Sequence, residues 1–580
     1  MRFEPRSKSC AYVLVFALLL GAATGPAGAA AQSPLGAYLA GQQAMQEGDY
    51  PAAIAYHERL SASAPSRLEF LPNAMLAHAM LGQFDHALGV ARELGHRPPS
   101  DQIAQMAQLI LITDLLQRED YDTALARLGA GDAINPTVSA FLEAWIALVR
   151  KNPAKAMGLF DRIAQDSPTR MLALYHQALA LGLSGNPAAA EALYAADTEN
   201  SFRGSFRASV ARAQGLSQLG RNAEALNFLT QAQDVASDPV LRALHARLAS
   251  GERVAFDAVR QVRDGIAEVF YSIANLLETQ SPFEHALFYA RMAHYMRPDH
   301  ADAVLTAARV HERMGQYDLA IATYEAVPAT HSAFYSAQLG RAAALRRAGE
   351  AQRALEVLQE LARSHGDLPI VHSNLGDALR YQEHYAESIS AYDTALRLHE
   401  DRASQNWFLH YARAISHERL GQWQEAETGF RHALAISPDQ PQVLNYLGYS
   451  LVEKRMKLDE ALAMIRRAVD LQSDSGHIVD SLGWALYRLG HYDEAVIHME
   501  RAVELLPTDP VVNDHLGDVY WVVGRHREAK FQWHRALRFS EMETYEQANP
   551  DRIRRKLEVG LDVVLMEEGG ASTTPANQGQ

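Results

Sequence analysis

Cysteine is almost missing from this chain. Its 580 residues include one, Cys10, so no disulfide framework can be built. Basic charge is also short, with 54 Lys and Arg against 69 Asp and Glu and a net charge of -15. That balance argues against nucleic acid, whose phosphates need basic surface, and favours cationic or neutral partners. Beyond residue 20 no apolar run is long enough to cross a bilayer. A nucleophile motif, a glycine-rich phosphate loop and a His-Glu-x-x-His run are all absent, and the 24 histidines are scattered rather than ligand-spaced. No cofactor, no metal and no catalytic residue is therefore expected.

Apolar residues make up 48% of the chain, too many for disorder over most of its length. At 580 residues it exceeds what one compact core holds. The first 31 residues read as a secretory signal. Arg2, Arg6 and Lys8 precede an apolar run from Ala11 to Leu20, and Ala27-Gly28-Ala29 and Ala29-Ala30-Ala31 offer small-x-small cleavage sites. Cys10 precedes the apolar run and so is no lipid anchor. Cleavage would remove it and deliver the mature chain to the periplasm.

What the chain has is a period. Gly490, Tyr492 and Ala495 are followed by Ala502 and Pro507, and Gly524, Ala529 and Ala536 repeat the spacing one unit on. A period of about 34 residues marks stacked helical hairpins. Unit starts fall near Pro34, Arg67, Met106, Thr137, Met171, Phe206, Ala267, Ala301, Tyr335, Pro369, Trp407, Pro441, Gly476 and Pro510. Each unit has a small residue at the eighth position, where backbones approach closely, and a turn residue near the fifteenth. The period breaks between Pro239 and Ile266, and one residue is inserted at Lys457. This divides the chain into a signal (1–31), an N-terminal array (34–238), an irregular helical connector (239–266), a C-terminal array (267–542), a cap (543–568) and a disordered tail (569–580). Within the cap, 550–566 reads as one amphipathic helix with Leu557, Leu561 and Leu565 on one face. An array's last apolar face needs such a cover.

The markers resemble the tetratricopeptide repeat, as in Leu447-Gly448, Leu482-Gly483 and Leu516-Gly517 of helix A. The resemblance implies an all-α, right-handed superhelical solenoid of antiparallel hairpins with a C-terminal capping helix. It also implies a protein- or peptide-binding scaffold rather than an enzyme. Asn445 to Leu537 is similar to bacterial envelope repeat proteins, some of them outer-membrane lipoproteins that act as adaptors. That likeness implies delivery of substrates to a periplasmic protease or assembly complex as an alternative. This chain departs from them in lacking a lipobox, so membrane association would run through a partner.

By the family's register, helix A positions five, nine and twelve line the concave face. They give Asn445 and Tyr449, then Asp480, Trp484 and Tyr487, then Asp514, Asp518 and Trp521: aromatics interleaved with carboxylates. Aromatics are frequent binding anchors. The competing reading packs Trp484 and Trp521 between helices. Asn513-Asp514-His515 with Asp518 offers an acid–base or metal cluster, and a hydrolase built on Asp514, His515 and Asp518 is the least favoured function. An ordinary helix A explains the same residues. Arg413 replaces the usual Leu and, if buried, must be paired, with Glu418 or another nearby carboxylate as the candidate partner. The run Arg552, Arg554, Arg555 and Lys556 reads by default as a solvated face, with docking to an acidic partner or lipid headgroups as the lesser alternative.

Overall fold

The computed structural model describes residues 33–569, apart from 61–64, 95–101, 130–133, 166, 197–204, 233–234, 236–237, 280–281, 400–405 and 543–548. The signal segment and the tail beyond 569 lie outside the described residues. Among these residues all regular structure is helical, with thirty-one α-helices. Fourteen hairpins run from Pro34–Glu47 paired with Tyr50–Arg59 to Pro510–Val522 paired with His526–Met542, and we number them as repeats 1 to 14, each with helices A and B. Contacts divide the chain into two compact units, residues 1–365 and 366–580.

The local causes repeat. Pro34, Pro136, Pro369, Pro441 and Pro510 each open a helix A, where a missing N–H costs nothing. Asp509 caps repeat 14 by accepting from the Val511 and Val512 amides. The A-to-B turn needs a left-handed residue, which Gly490 supplies at φ 82°. At the eighth position a side chain would collide with helix B: a Cβ on Gly483 would lie 2.5 Å from Met499 Sδ. In repeat 12 the inserted Lys457 takes φ 48° immediately before Leu458–Leu471.

Several expectations change in detail. The seventh helix A begins at Val262, inside the stretch read as connector, and Pro239–Ala249 forms a further single helix. The cap is two helices, Pro550–Val559 and Leu561–Glu567, not one. Gly560 separates them at φ 87°, and a Cβ there would sit 2.5 Å from Trp521. A β-carbon is thus barred by conformation and by space. Arg413 is half-buried and pairs at 2.5 Å with Asp393, the nearby carboxylate that serves in place of Glu418.

In the first unit the stack closes on itself. The A helices of repeats 2 to 5, Pro65–Met80, Gln102–Gln117, Pro136–Val149 and Arg170–Leu183, pack against repeat 7, Val262–Leu277 and Glu284–Met296. Tyr295 stacks on Phe84 at 4.5 Å, and Arg291 Nε donates to Met80 O at 2.9 Å. Gln316 Nε2 reaches Gly48 O at 3.2 Å. One apolar core therefore runs from Ala37 to Val310, and the Gln316–Gly48 hydrogen bond beside it joins residues 268 positions apart in sequence.

Candidate functional site

The groove stripe of the second unit is split by the structure. In repeat 13, Gly476–Arg488 and Tyr492–Leu505, Asp480 is buried and its carboxylate oxygens accept from His515 Nδ1 at 3.1 Å. The His515 ring lies flat on Trp484, centroids 4.0 Å apart, and Trp484 also stacks on the buried Tyr487 at 4.9 Å. Trp484 Nε1 donates to Glu453 at 3.1 Å. Burial pulls the His515 pKa down, but Asp480 outweighs it and leaves the pKa raised. Tyr449 is half-buried, and burial followed by Glu453 and Asp480 raises its phenol. Asn445 is half-buried too, with an Oδ1 that has no hydrogen-bond partner.

The last three stripe residues are covered by the chain's own C-terminal helices. Lys556, fully buried, inserts Nζ between Asp514 at 2.8 and 2.9 Å and Asp518 at 2.6 and 2.8 Å. Trp533 Nε1 donates to Asp518 at 2.9 Å, and Trp521 Nε1 donates to Asp562 at 2.9 Å. Burial raises the Asp518 carboxyl against the pull of Lys556. Asp480, Trp484 and Tyr487 thus share one patch with His515, whereas Asp514, Asp518 and Trp521 form the floor beneath the cap. The supposed acid–base cluster is dispersed: His515 serves Asp480, the two aspartates serve Lys556, and Asn513 Nδ2 donates to the Pro507 and Asp509 carbonyls. Lys556 belongs to this ion cluster, not to a solvated face.

A second site, in the first unit, was not read from the sequence. Beyond the point where repeat 7 fills the A-helix row, a cavity of about 780 Å³ opens among repeats 5 to 9, whose A helices after repeat 5 are Phe206–Gln218, Val262–Leu277, Ala301–Arg313 and Phe334–Arg347. Its floor is an ion network. Arg207 donates to Glu268 through Nε at 2.7 Å and Nη2 at 2.5 Å, and to Asp302 through Nη1 at 2.7 Å. Tyr175 OH donates to Glu268 at 2.9 Å, and His300 Nε2 lies 3.3 Å from it. Burial alone would raise the Glu268 carboxyl, but Arg207 and His300 hold it well below the ordinary range. His300 is lowered by burial and then by Arg207, so it sits neutral, with Nδ1 accepting from the Ala303 amide. Glu268 and Asp302 stand 34 residues apart, the same place in successive repeats. That spacing is the signal that could have found them.

Family models of the tetratricopeptide repeat match residues 305–369, 373–441, 411–473 and 480–509. The chain carries tetratricopeptide repeats over these residues. It is 28% identical over 158 residues to the TPR repeat-containing protein PA4667 of Pseudomonas aeruginosa, matching 27% of this chain and 26% of that protein. The chain thus spans about a quarter of that relative's length. Among solved structures it is similar to the Cut9 and Hcn1 hetero-tetramer of the APC/C, at 14% identity over 92% of this chain and 97% of the other, with a TM-score of 0.39. Yeast Tom70 aligns at 15% identity over 92% and 98%, with a TM-score of 0.35. YrrB, described as a TPR protein with an unusual peptide-binding site, aligns at 20% over 32% and 94%, with a TM-score of 0.26. The TPR family is typically one of non-enzymatic, protein-binding scaffolds.

Proposed function

We propose that the chain is a non-enzymatic scaffold of the bacterial cell envelope that holds a protein or extended peptide on its A-helix face. One observation carries the reading: that face already takes two segments of this same chain, repeat 7 in the first unit and the C-terminal helices in the second. Apolar contact plus buried ion pairs is what helix-in-groove recognition uses. Surface left open around Tyr449 and Trp484, and the cavity of the first unit, would take a partner. Export of the mature chain to the periplasm follows from the signal-like N-terminus. Delivery of substrates to a protease or assembly complex is the narrower form of the reading, and it rests on the envelope resemblance alone.

The test is site-specific crosslinking in the envelope. A photo-reactive residue at Tyr449, and another at Ser272 in the first-unit cavity, should each trap defined protein partners in the periplasmic fraction. Recovery of the chain in the cytoplasm, or no specific adduct from either position, refutes the reading. Loss of the protein should also change the levels of particular envelope proteins if the narrower form holds.

A further inference from the structure

The cavity of the first unit has a charge asymmetry that selects its occupant. Five carboxylates line it, Asp238, Asp257, Glu268, Asp299 and Asp302, against two guanidiniums, Arg207 and Arg297. The cations are turned inward. The Arg207 side chain is 20% exposed and already serves two carboxylates, the wholly buried Glu268 and Asp302. With His300 neutral, that network carries one negative charge more than it carries positive, and its accessible part is Asp302, 31% exposed. Arg297 is 14% exposed and is spent on Asp299 and on the Ala258 carbonyl, and Arg260 from outside the cavity also holds Asp299 at 3.0 Å, so Asp299 is compensated and the acceptor left accessible is Asp302. Asp257 accepts from Gln214 Nε2, an amide that brings no charge. A cation placed here would therefore meet uncompensated carboxylate in a partly desolvated cavity, where a charge-assisted hydrogen bond is about twice as strong as a neutral one.

The walls suit the stem of a long side chain. Tyr271 lies against His300 at 4.8 Å and under Arg207 at 5.5 Å, and Phe206 and Leu276 line the same space. Lysine and arginine bury such stems while the head reaches polar groups. At about 780 Å³ the volume falls within the roughly 300–1,000 Å³ of ligand clefts. The second unit shows the same chemistry satisfied from within, where Lys556 fills the Asp514 and Asp518 pair.

We propose that this cavity binds a lysine or arginine side chain carried on an extended, partly apolar segment of a partner protein, its cationic head on Asp302. The proposal rests on the scaffold reading and adds the class of ligand. The probe is a fluorescein-labelled Lys-Leu-Lys-Phe-Lys-Leu hexapeptide, with Glu-Leu-Glu-Phe-Glu-Leu as its counterpart, titrated by anisotropy against the full chain. The basic peptide should bind saturably and the acidic one should not. Asp302→Asn, which keeps an acceptor for Arg207, should weaken binding at least tenfold, and Ser272→Trp, which fills the cavity, should abolish it while circular dichroism is unchanged. Asp393→Asn removes an exposed carboxylate of the other unit and should leave affinity as it was.

Equal weakening by Asp302→Asn and Asp393→Asn would mean attraction to net charge alone, and would overturn the site. So would affinity indifferent to both Asp302→Asn and Ser272→Trp, or binding of spermidine without the hexapeptide. Binding of the acidic peptide in the cavity would overturn the charge class while the scaffold reading stands. The scaffold reading fails separately, on the envelope crosslinks.

Discussion

Acid should loosen the first unit before the second. His176, His294 and His311 are all in the first unit, and burial lowers each from 6.5 to about 4, with Arg291 adding to the effect at His294 and His311. The geometry agrees at His311: Nε2 faces the Arg291 guanidinium at 3.2 Å while Nδ1 faces the Gln316 amide oxygen at 2.6 Å. A proton on Nε2 would set two cations in contact. Because these folded pKa values lie below the unfolded one, stability is full above pH 6.5 and is lost as pH falls toward 4. At pH 5 the loss is about 2 kcal/mol for each histidine, roughly 6 kcal/mol for three. That is comparable to the whole stability of a typical domain, about 5–15 kcal/mol. His515 in the second unit has the opposite sign, since its raised pKa contributes stability below pH 6.5 that is lost as pH rises through the folded value. His498 offsets part of this, its pKa being lowered by burial. Hydrogen exchange of the full chain at pH 7.5 and pH 5, corrected for intrinsic rates, should show protection collapsing in Arg170–Leu183 and Ala301–Arg313 while Pro510–Val522 holds. His311→Gln keeps a donor and an acceptor but cannot titrate, so its stability relative to wild type should improve by about 2 kcal/mol on going from pH 7.5 to pH 5. Unchanged protection at pH 5, or a His311→Gln effect equal at both pH values, refutes the reasoning.

Lys556→Ala strands two carboxylates, one fully buried, beneath the cap and should cost about 3–5 kcal/mol, read as early urea unfolding of repeat 14. If the double variant Lys556→Ala with Asp518→Asn is no more stable than the single one, the ion cluster is not the cause. Gly483→Leu must displace Met499, whose backbone nitrogen would lie 3.2 Å from the new Cβ, and should destabilise by about 1–3 kcal/mol or more; unaltered thermal melting would contradict the register. Glu268→Ala removes the shared partner of Arg207, Tyr175 and His300, and by the same logic should lower first-unit stability by about 3–5 kcal/mol at pH 7, with a smaller difference below pH 4 where the folded carboxylate's advantage is lost.

Much of the fold was legible because its causes are local. Prolines at helix starts, glycines at the turns and small eighth-position residues act within about 34 residues, so hairpin number and nearly every helix A start follow from spacing. The seventh start moved from Ala267 to Val262 because the preceding segment lacks those markers. The cap's division was missed because Gly560 looks tolerable within an amphipathic pattern; its φ and its contact with Trp521 are visible only once the cap is docked. At the groove, position numbers located Asp480, Trp484 and Asp518 but not what faces them. His515 is one repeat from Asp480, and Lys556 is 38 residues from Asp518, a separation that carries no periodic signal.

The sequence by itself determined that this is an array of helical hairpins, where each hairpin begins and turns, and which residues stand on the A-helix row. These are nearest-neighbour properties of a quasi-one-dimensional chain. Only the tertiary structure decided which parts of that row remain open. Repeat 7 lies against repeats 2 to 5, and the C-terminal helices lie against repeat 14, through contacts between segments far apart in the chain. Burial there converts ordinary surface-type residues, Glu268 and Lys556 among them, into paired charges, and leaves an acidic cavity open beside them.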